Sequence, residues 1–336
     1  MKKALKIIIT VVVFLVVIAG LTRLLEPKYS ETLREGTMTP QYYTESKDHE
    51  VMIFGDSCAY ANFSPMVMYE TAGIKAYVRG NAAQFIWQSY YLMKEALKYE
   101  TPKVIVLSVD ALVRTKDTDP KTEGYNRLCI DRMRWSKEKV DIIKASMKED
   151  ESFLTYVFPI IRYHTRISQL TSEDFKYFFG DKYHTYNGFL VNKEIKPLGN
   201  LPVKRQLPSY DFPAENVQYL EDIAELCREH GVKLMLIKVP NMYPHWYDEY
   251  DEWIEAFAEK HGIVYENLRN YYDEIGLDFA VDTYDAGIHL NFTGAEKNSR
   301  FFAGILKKHY ELTDFSGDAL YDSKLSEYVK ERASYQ

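Results

Sequence analysis

Three short clusters in this chain hold the residue types of a nucleophile, a base and the carboxylate that would orient the base. Gly55-Asp56-Ser57-Cys58-Ala59-Tyr60 places a serine directly after an apolar run. At a strand-to-helix turn, such a hydroxyl sits beside free backbone N–H groups, as an attacking oxygen and a developing oxyanion require. Arg79-Gly80-Asn81 places a glycine where backbone can approach a ligand closely. Asp282-Thr283-Tyr284-Asp285-Ala286-Gly287-Ile288-His289-Leu290-Asn291 gathers carboxylates and a histidine just before a long helical pattern. Together these residues would complete a Ser-His-Asp set.

The elements that must position them follow from hydrophobic periodicity. Val51–Phe54, Lys75–Val78, Val104–Leu107, Leu234–Ile237 and Ile263–Tyr265 are short apolar runs that predict five strands. Amphipathic patterns predict helices over Pro65–Thr71, Gln84–Tyr99, Pro213–His230, Glu249–His261 and Thr293–Tyr310, the last long one. Apolar strands alternating with helices imply a parallel sheet covered on both faces, a three-layer α/β/α sandwich. The alternation breaks between residues 111 and 212, which read as one large insertion after the third strand. In such sheets ligands gather at the carboxyl ends of the strands, where the serine, the glycine and the histidine all fall.

These residues give the chain a resemblance to the SGNH/GDSL hydrolase family. Gly55-Asp56-Ser57 follows the first strand, Gly80 the second, and Asp285 with His289-Leu290-Asn291 precedes the last helix. The resemblance covers residues 50–110 and 213–310 and leaves the insertion outside. It is nearest to the membrane-anchored, extracytoplasmic bacterial branch, which is similar to proteins of alginate O-acetylation and teichoic-acid D-alanylation. It implies Ser57 as nucleophile, His289 as base, and an oxyanion hole built from the Ser57 and Gly80 amides. Two departures stand out. The family places its aspartate three residues before the histidine, whereas Asp285 lies four before and Asp282 seven before; Asp285 is the favoured partner. The family's third block supplies an asparagine to the oxyanion hole, but here the third strand runs into Ser108-Val109-Asp110-Ala111. A carboxylate would repel an oxyanion unless protonated, so Asn81 or Gln84 is expected to supply the missing donor.

Charge and composition narrow the function classes. The 336 residues carry 42 Lys plus Arg against 49 Asp plus Glu, a net charge of −7, so no basic footprint for nucleic acid exists. The three cysteines have no metal-binding spacing and the eight histidines no i, i+4 pair, so neither a metal nor a cofactor is expected. Lys2, Lys3 and Lys6 precede an apolar run from Ile7 to Leu21 closed by Arg23. That pattern predicts an uncleaved anchor over residues 1–28 with the remainder outside the cytoplasm. Residues 29–48 are polar and read as a stalk, and 49–336 as the α/β domain.

Within the insertion, Arg162-Tyr163-His164-Thr165-Arg166 reads as surface ion pairing before it reads as an anion grip. Tyr183, His184 and Tyr186 read as packing. The expected activity is a membrane-anchored serine O-acyl esterase or acyltransferase, acetyl being the favoured acyl group. Its partners would be an O-acylated glycan or envelope polymer, with a membrane-bound acyltransferase as a further candidate. The alternative is a catalytically silent member that binds glycan or scaffolds such an acyltransferase.

Overall fold

The computed structural model describes residues 2–28, 33–116, 122–180, 185–200 and 203–334. Five parallel strands, β1 (Val51–Gly55), β2 (Ala76–Gly80), β3 (Val104–Ser108), β4 (Lys233–Lys238) and β5 (Val264–Asn267), form one sheet in the order β2-β1-β3-β4-β5. All five match the predicted runs to within a few residues. The sheet reverses its winding between β1 and β3, which opens a crevice beyond their carboxyl ends.

Alternate residues along each strand feed two cores. Met52, Phe54, Ile105, Leu107, Leu234 and Leu236 face helices Ile86–Ala96, Ala214–Glu229 and Asp248–His261. Val51, Ile53, Val104, Val106, Met235 and Ile237 face Ser57–Asn62, Pro65–Ala72 and Phe292–His309. Because both faces are covered, the central strands β1, β3 and β4 carry continuous apolar runs rather than an apolar residue at every second position. A further helix, Ala319–Ala333, buries Tyr321 and Tyr328 beside Met66 and Phe292. Its apolar stripe is so narrow that periodicity does not announce it.

The polar segment before β1 is no stalk. From residue 33 onward it belongs to the domain, with a 3-10 turn at Glu35–Thr37 and a helix at Met38–Tyr42. Tyr42 is fully buried; its hydroxyl donates to Glu100 at 2.8 Å, and the Arg79 guanidinium lies 4.0 Å over its ring. A few inward residues, Met38, Thr39 and Tyr42, hold a stretch whose composition is otherwise that of a linker.

The insertion carries helices Thr122–Ile130, Lys137–Ser146, Phe153–Val157, Ile160–Tyr163 and Ser172–Phe178 among its described residues. It then returns to cover the free edge of β2. The Val78 N–H donates to the Asn187 carbonyl at 2.9 Å, and a Cβ on Gly188 (φ +87°) would sit 1.8 Å from the Val78 oxygen. Only glycine permits that approach. An otherwise open strand edge is thereby closed. Tyr186 packs edge-on against Tyr328 at 4.9 Å, while Tyr183 and His184 lie outside the described residues.

The N-terminal helix runs from Lys2 to Leu25, and by length and composition it is long and apolar enough to cross a membrane.

Candidate active site

Asp56 caps the helix that Ser57 opens. Its Oδ1 accepts from the Cys58 N–H at 2.9 Å, and its Oδ2 pairs with Arg114 from the start of the insertion. Ser57 is therefore a first-turn residue whose N–H has no acceptor within the helix. Gly80 packs beneath this turn. A Cβ there would meet the Gly55 and Asp56 carbonyl oxygens at 3.0 and 3.1 Å, so glycine is what lets β2 support the turn so closely.

His289 reaches Ser57 from the other end of the domain. Its Nε2 lies 2.7 Å from Ser57 Oγ, its Nδ1 contacts Asp285 Oδ2, and its backbone N–H donates to Asp285 Oδ1 at 2.7 Å. Asp285 thus holds both the main chain and the ring of His289. An N–H at Nδ1 leaves Nε2 as the acceptor for the serine proton. The extra residue between them is absorbed by a turn in which Ala286 (φ +65°) and Gly287 (φ +98°) both adopt left-handed backbone. A bridge between Thr283 and Leu290 closes that turn, and Gly287 N donates to Thr283 Oγ1 at 2.8 Å. The Tyr284 ring stacks on His289, 5.5 Å between centroids and 7° from parallel. Asp282 does other work: fully buried, it accepts from the Asp278 N–H at 2.8 Å and pairs with Lys297 at 2.6 Å. Asn291 caps the Phe292–His309 helix through the Gly294 N–H at 3.2 Å.

The expectation for Asn81 and Gln84 needs correction. Both are buried; Asn81 Nδ2 donates to Gln84 Oε1 at 3.0 Å, Gln84 Nε2 donates to Ser89 Oγ at 2.8 Å, and Asn81 Oδ1 accepts from Thr39. Neither side chain faces Ser57. They lock the β2 turn to Thr39 of the Met38–Tyr42 helix.

Of the two side-chain amides that line the cleft, Asn192 and Asn241, the one set against Asp110 and Cys58 is Asn241, after β4. Its Nδ2 lies 3.4 Å from Asp110 Oδ1 and 3.8 Å from Cys58 Sγ, and its Oδ1 accepts from the Tyr243 N–H at 3.2 Å. No motif marks Asn241, yet it follows a strand's carboxyl end, the one signal that points to it.

Asp110 is not a bare carboxylate. Its Oδ1 pairs with the buried Lys238 at 2.7 Å and its Oδ2 accepts from Ser108 Oγ at 2.9 Å. Burial opposes its ionisation, but the Lys238 ammonium and its hydrogen bonds prevail and hold the carboxyl below its ordinary range. The repulsion expected of Asp110 is therefore neutralised by a cation from the neighbouring strand. Cys58 is buried, and burial pushes its thiol well above the ordinary range, which removes it as a competing nucleophile.

The cleft around Ser57 encloses about 810 Å³. Its walls mix aromatic rings, Phe85, Tyr125, Tyr243 and Trp246, with Glu35, Arg114, Glu194, Lys196 and Lys238. The 162–166 cluster is not among its lining. Arg162 pairs with Glu123, Tyr163 donates to Asp131 at 2.7 Å, and Arg166 engages Asp174 and the Leu25 carbonyl. Among the described residues no group of His, Cys, Asp and Glu is arranged to hold a metal ion.

No family model and no curated protein matches the chain. Solved structures similar to it include a protein assigned to the G-D-S-L lipolytic family from Desulfitobacterium hafniense, at 10% identity and a TM-score of 0.39 over 78% of this chain and 100% of that one. Others are a protein assigned as an acylhydrolase from Bacteroides fragilis (12%, 0.38, 84% and 99%) and a GDSL-like lipase from Bacteroides thetaiotaomicron (12%, 0.38, 82% and 100%). At these identities and scores the likenesses bear no weight on function, and the reading below rests on the geometry around Ser57.

Proposed function

We propose that this chain is a membrane-anchored serine O-acyl esterase or acyltransferase working through an acyl-enzyme on Ser57. The observation that carries it is the unbroken Ser57–His289–Asp285 hydrogen-bonded chain at the mouth of the parallel sheet. Ser57 Oγ attacks the ester carbonyl while its proton passes to His289 Nε2, and Asp285 stabilises the imidazolium. The tetrahedral oxyanion takes hydrogen bonds from the Ser57 N–H and the Asn241 amide. It collapses as the departing alcohol oxygen takes the proton from His289. Water, or the hydroxyl of an acceptor, then attacks the acyl-serine with His289 as base, releasing the acid or the transferred ester and restoring Ser57.

The cleft favours a carbohydrate ester over a lipid ester. Tyr and Trp faces stack on sugar rings, and charged side chains in the walls suit hydroxyl-rich ligands rather than alkyl chains. The positively flanked Lys2–Leu25 helix supports a membrane anchor with the domain outside the cytoplasm, within reach of an O-acylated envelope polymer. The two departures that would favour a silent scaffold lose their force, since Asp285 sits on His289 and Asp110 is paired. The test is labelling of the full chain by a fluorophosphonate together with p-nitrophenyl acetate turnover. Labelling at Ser57, with turnover reduced about 10³-fold or more in Ser57→Ala and His289→Ala, is expected. An unlabelled, folded protein refutes the reading. Preference for long-chain esters refutes the carbohydrate assignment.

A further inference from the structure

Nearly half of the exposed large apolar side chains outside the N-terminal helix fall between residues 135 and 179, among the described residues. They include Trp135, Leu154, Phe158, Ile161, Ile167 and Phe179, the last 80% exposed. Single exposed apolar residues need no explanation, but a concentration on one region does.

That region meets the N-terminal helix. A Cβ on Gly20 would lie 3.9 Å from the Phe178 ring, and Arg23 lies 5.9 Å over Tyr177. The insertion also caps the helix. Its last carbonyls, which have no intrahelical donor, accept from Arg166 at Leu25 and from Arg132 at Arg23; Lys28 adds bonds to Arg23 at 2.9 Å and Leu24 at 2.7 Å. Three cations thus sit at the negative end of the helix dipole. Lys28 and Arg166 share Asp174, and Arg132 pairs with Glu26, so the junction is tied on both sides. Between helix and insertion lies a groove of about 630 Å³ walled by Leu15, Ile18, Trp135, Val157, Phe158 and Tyr177.

Depth follows from helix geometry. Leu15 lies about 9 Å below Leu21 at about 1.5 Å per residue. The groove reaches down to Leu15, so the insertion overlaps the outer end of the apolar run. Interfacial segments sink about 5–10 Å into the headgroup and acyl boundary. The run from Ile7 to Leu21 is also short, about 22 Å against a hydrocarbon core of about 30 Å. Apolar rings around its outer end supply the surface that the helix alone lacks.

We propose that the outer face of the insertion, residues 153–179 with Trp135, seats in the interface of the same bilayer that Lys2–Leu25 crosses. Its partner is the lipid surface itself. Anchor and insertion then act as one membrane-bound collar that holds the Ser57 cleft at a set height and orientation, where a tethered domain would wander. This inference rests on reading the helix as a membrane span, and the test separates the two.

The three native cysteines are buried and free, so single introduced cysteines can be labelled selectively with an environment-sensitive fluorophore. Full-length Ile167→Cys, Phe179→Cys, Val13→Cys and Leu320→Cys are placed in phosphatidylcholine/phosphatidylglycerol vesicles containing nitroxide-labelled lipid. Probes at 167 and 179 are expected to lose about half their emission to shallow nitroxides, as interfacial depth requires. The probe at 13 should be quenched by deep nitroxides, and the probe at 320, on the exposed side of the C-terminal helix, by neither. Quenching at 13 without quenching at 167 and 179 overturns the collar, leaving that face to a protein partner. No quenching at 13 overturns the membrane span beneath it.

Discussion

The turn around Ser57 and the insertion are built on opposite principles. Ser57 and His289 are 232 residues apart, yet both sit on short turns pinned by backbone: a capped first helical turn over Gly80, and a bridged loop with two left-handed residues. Such turns set a hydroxyl and an imidazole within a few tenths of an ångström, the tolerance that acyl transfer needs. Much of the insertion is held by side-chain pairs such as Arg127–Asp131, Arg162–Glu123 and Arg166–Asp174. Ion pairs fix packing without fixing a reacting atom. The insertion braces the chemistry from both sides, through Arg114 on Asp56 and through Lys196, whose N–H donates to the Thr283 carbonyl at 2.8 Å and whose carbonyl accepts from the Ala286 N–H at 3.2 Å, and otherwise walls the cleft.

The sharpest way to break this contrast is to exchange the two carboxylates before His289. Asp285→Ala should lower ester turnover about 10³–10⁴-fold with the melting temperature nearly unchanged, because it orients the base. Asp282→Ala should do the reverse. It removes the buried carboxylate that accepts from the Asp278 N–H and pairs with Lys297, at about 1–3 kcal/mol by thermal or urea melts, while the folded fraction keeps its turnover. Equal loss of activity in both would show that the loop acts as one unit.

Asp110→Asn strands the Lys238 ammonium in a buried site and is expected to cost about 3–5 kcal/mol. The sign of its pH dependence is set by the lowered carboxyl. Its stabilisation is fully present above the ordinary value near 3.8 and fades as pH falls through the depressed native value. Melts from pH 7 to pH 3 should therefore show the gap between wild type and variant closing only at the acid end. A constant gap would mean that the charge of Asp110 is irrelevant.

Arg114→Ala tests the ion pair through which the insertion braces the turn at Ser57. Loosening Asp56 should reduce turnover about 10–100-fold, with fluorophosphonate labelling of Ser57 slowing in step. The smallest effect belongs to Arg162→Ala, an exposed partner of Glu123. A cost of about 1 kcal/mol or less, and unchanged turnover, is expected. A large loss of activity there would give the insertion a catalytic share that its geometry does not show.

The site was legible in the sequence wherever a local rule applied. Ser57 and Gly80 follow continuous apolar runs, and His289 precedes a strongly amphipathic helix, so each falls at the rim where parallel sheets collect ligands. Lys238 and Asn241 carry no motif and are visible only once β3 and β4 lie side by side. Asn81 and Gln84 have the right chemistry at the right place, but their amides are already spent on each other, Thr39 and Ser89. Glu35 and Tyr42 sit in a segment of linker-like composition, and its two buried apolar side chains, Met38 and Tyr42, are too few to give it a period.

By itself, then, the order of residues determined the layered α/β architecture, the edge at which chemistry would gather, and the serine and histidine facing each other across it. Continuous strands and amphipathic helices are local patterns, and burial of both sheet faces leaves them one arrangement. Only the tertiary structure decided which aspartate orients His289, what neutralises Asp110, and that the polar segment before β1 belongs to the body of the domain. Those outcomes depend on distances between segments far apart in the chain, set by packing and by pairing of buried charges, which no local spacing encodes.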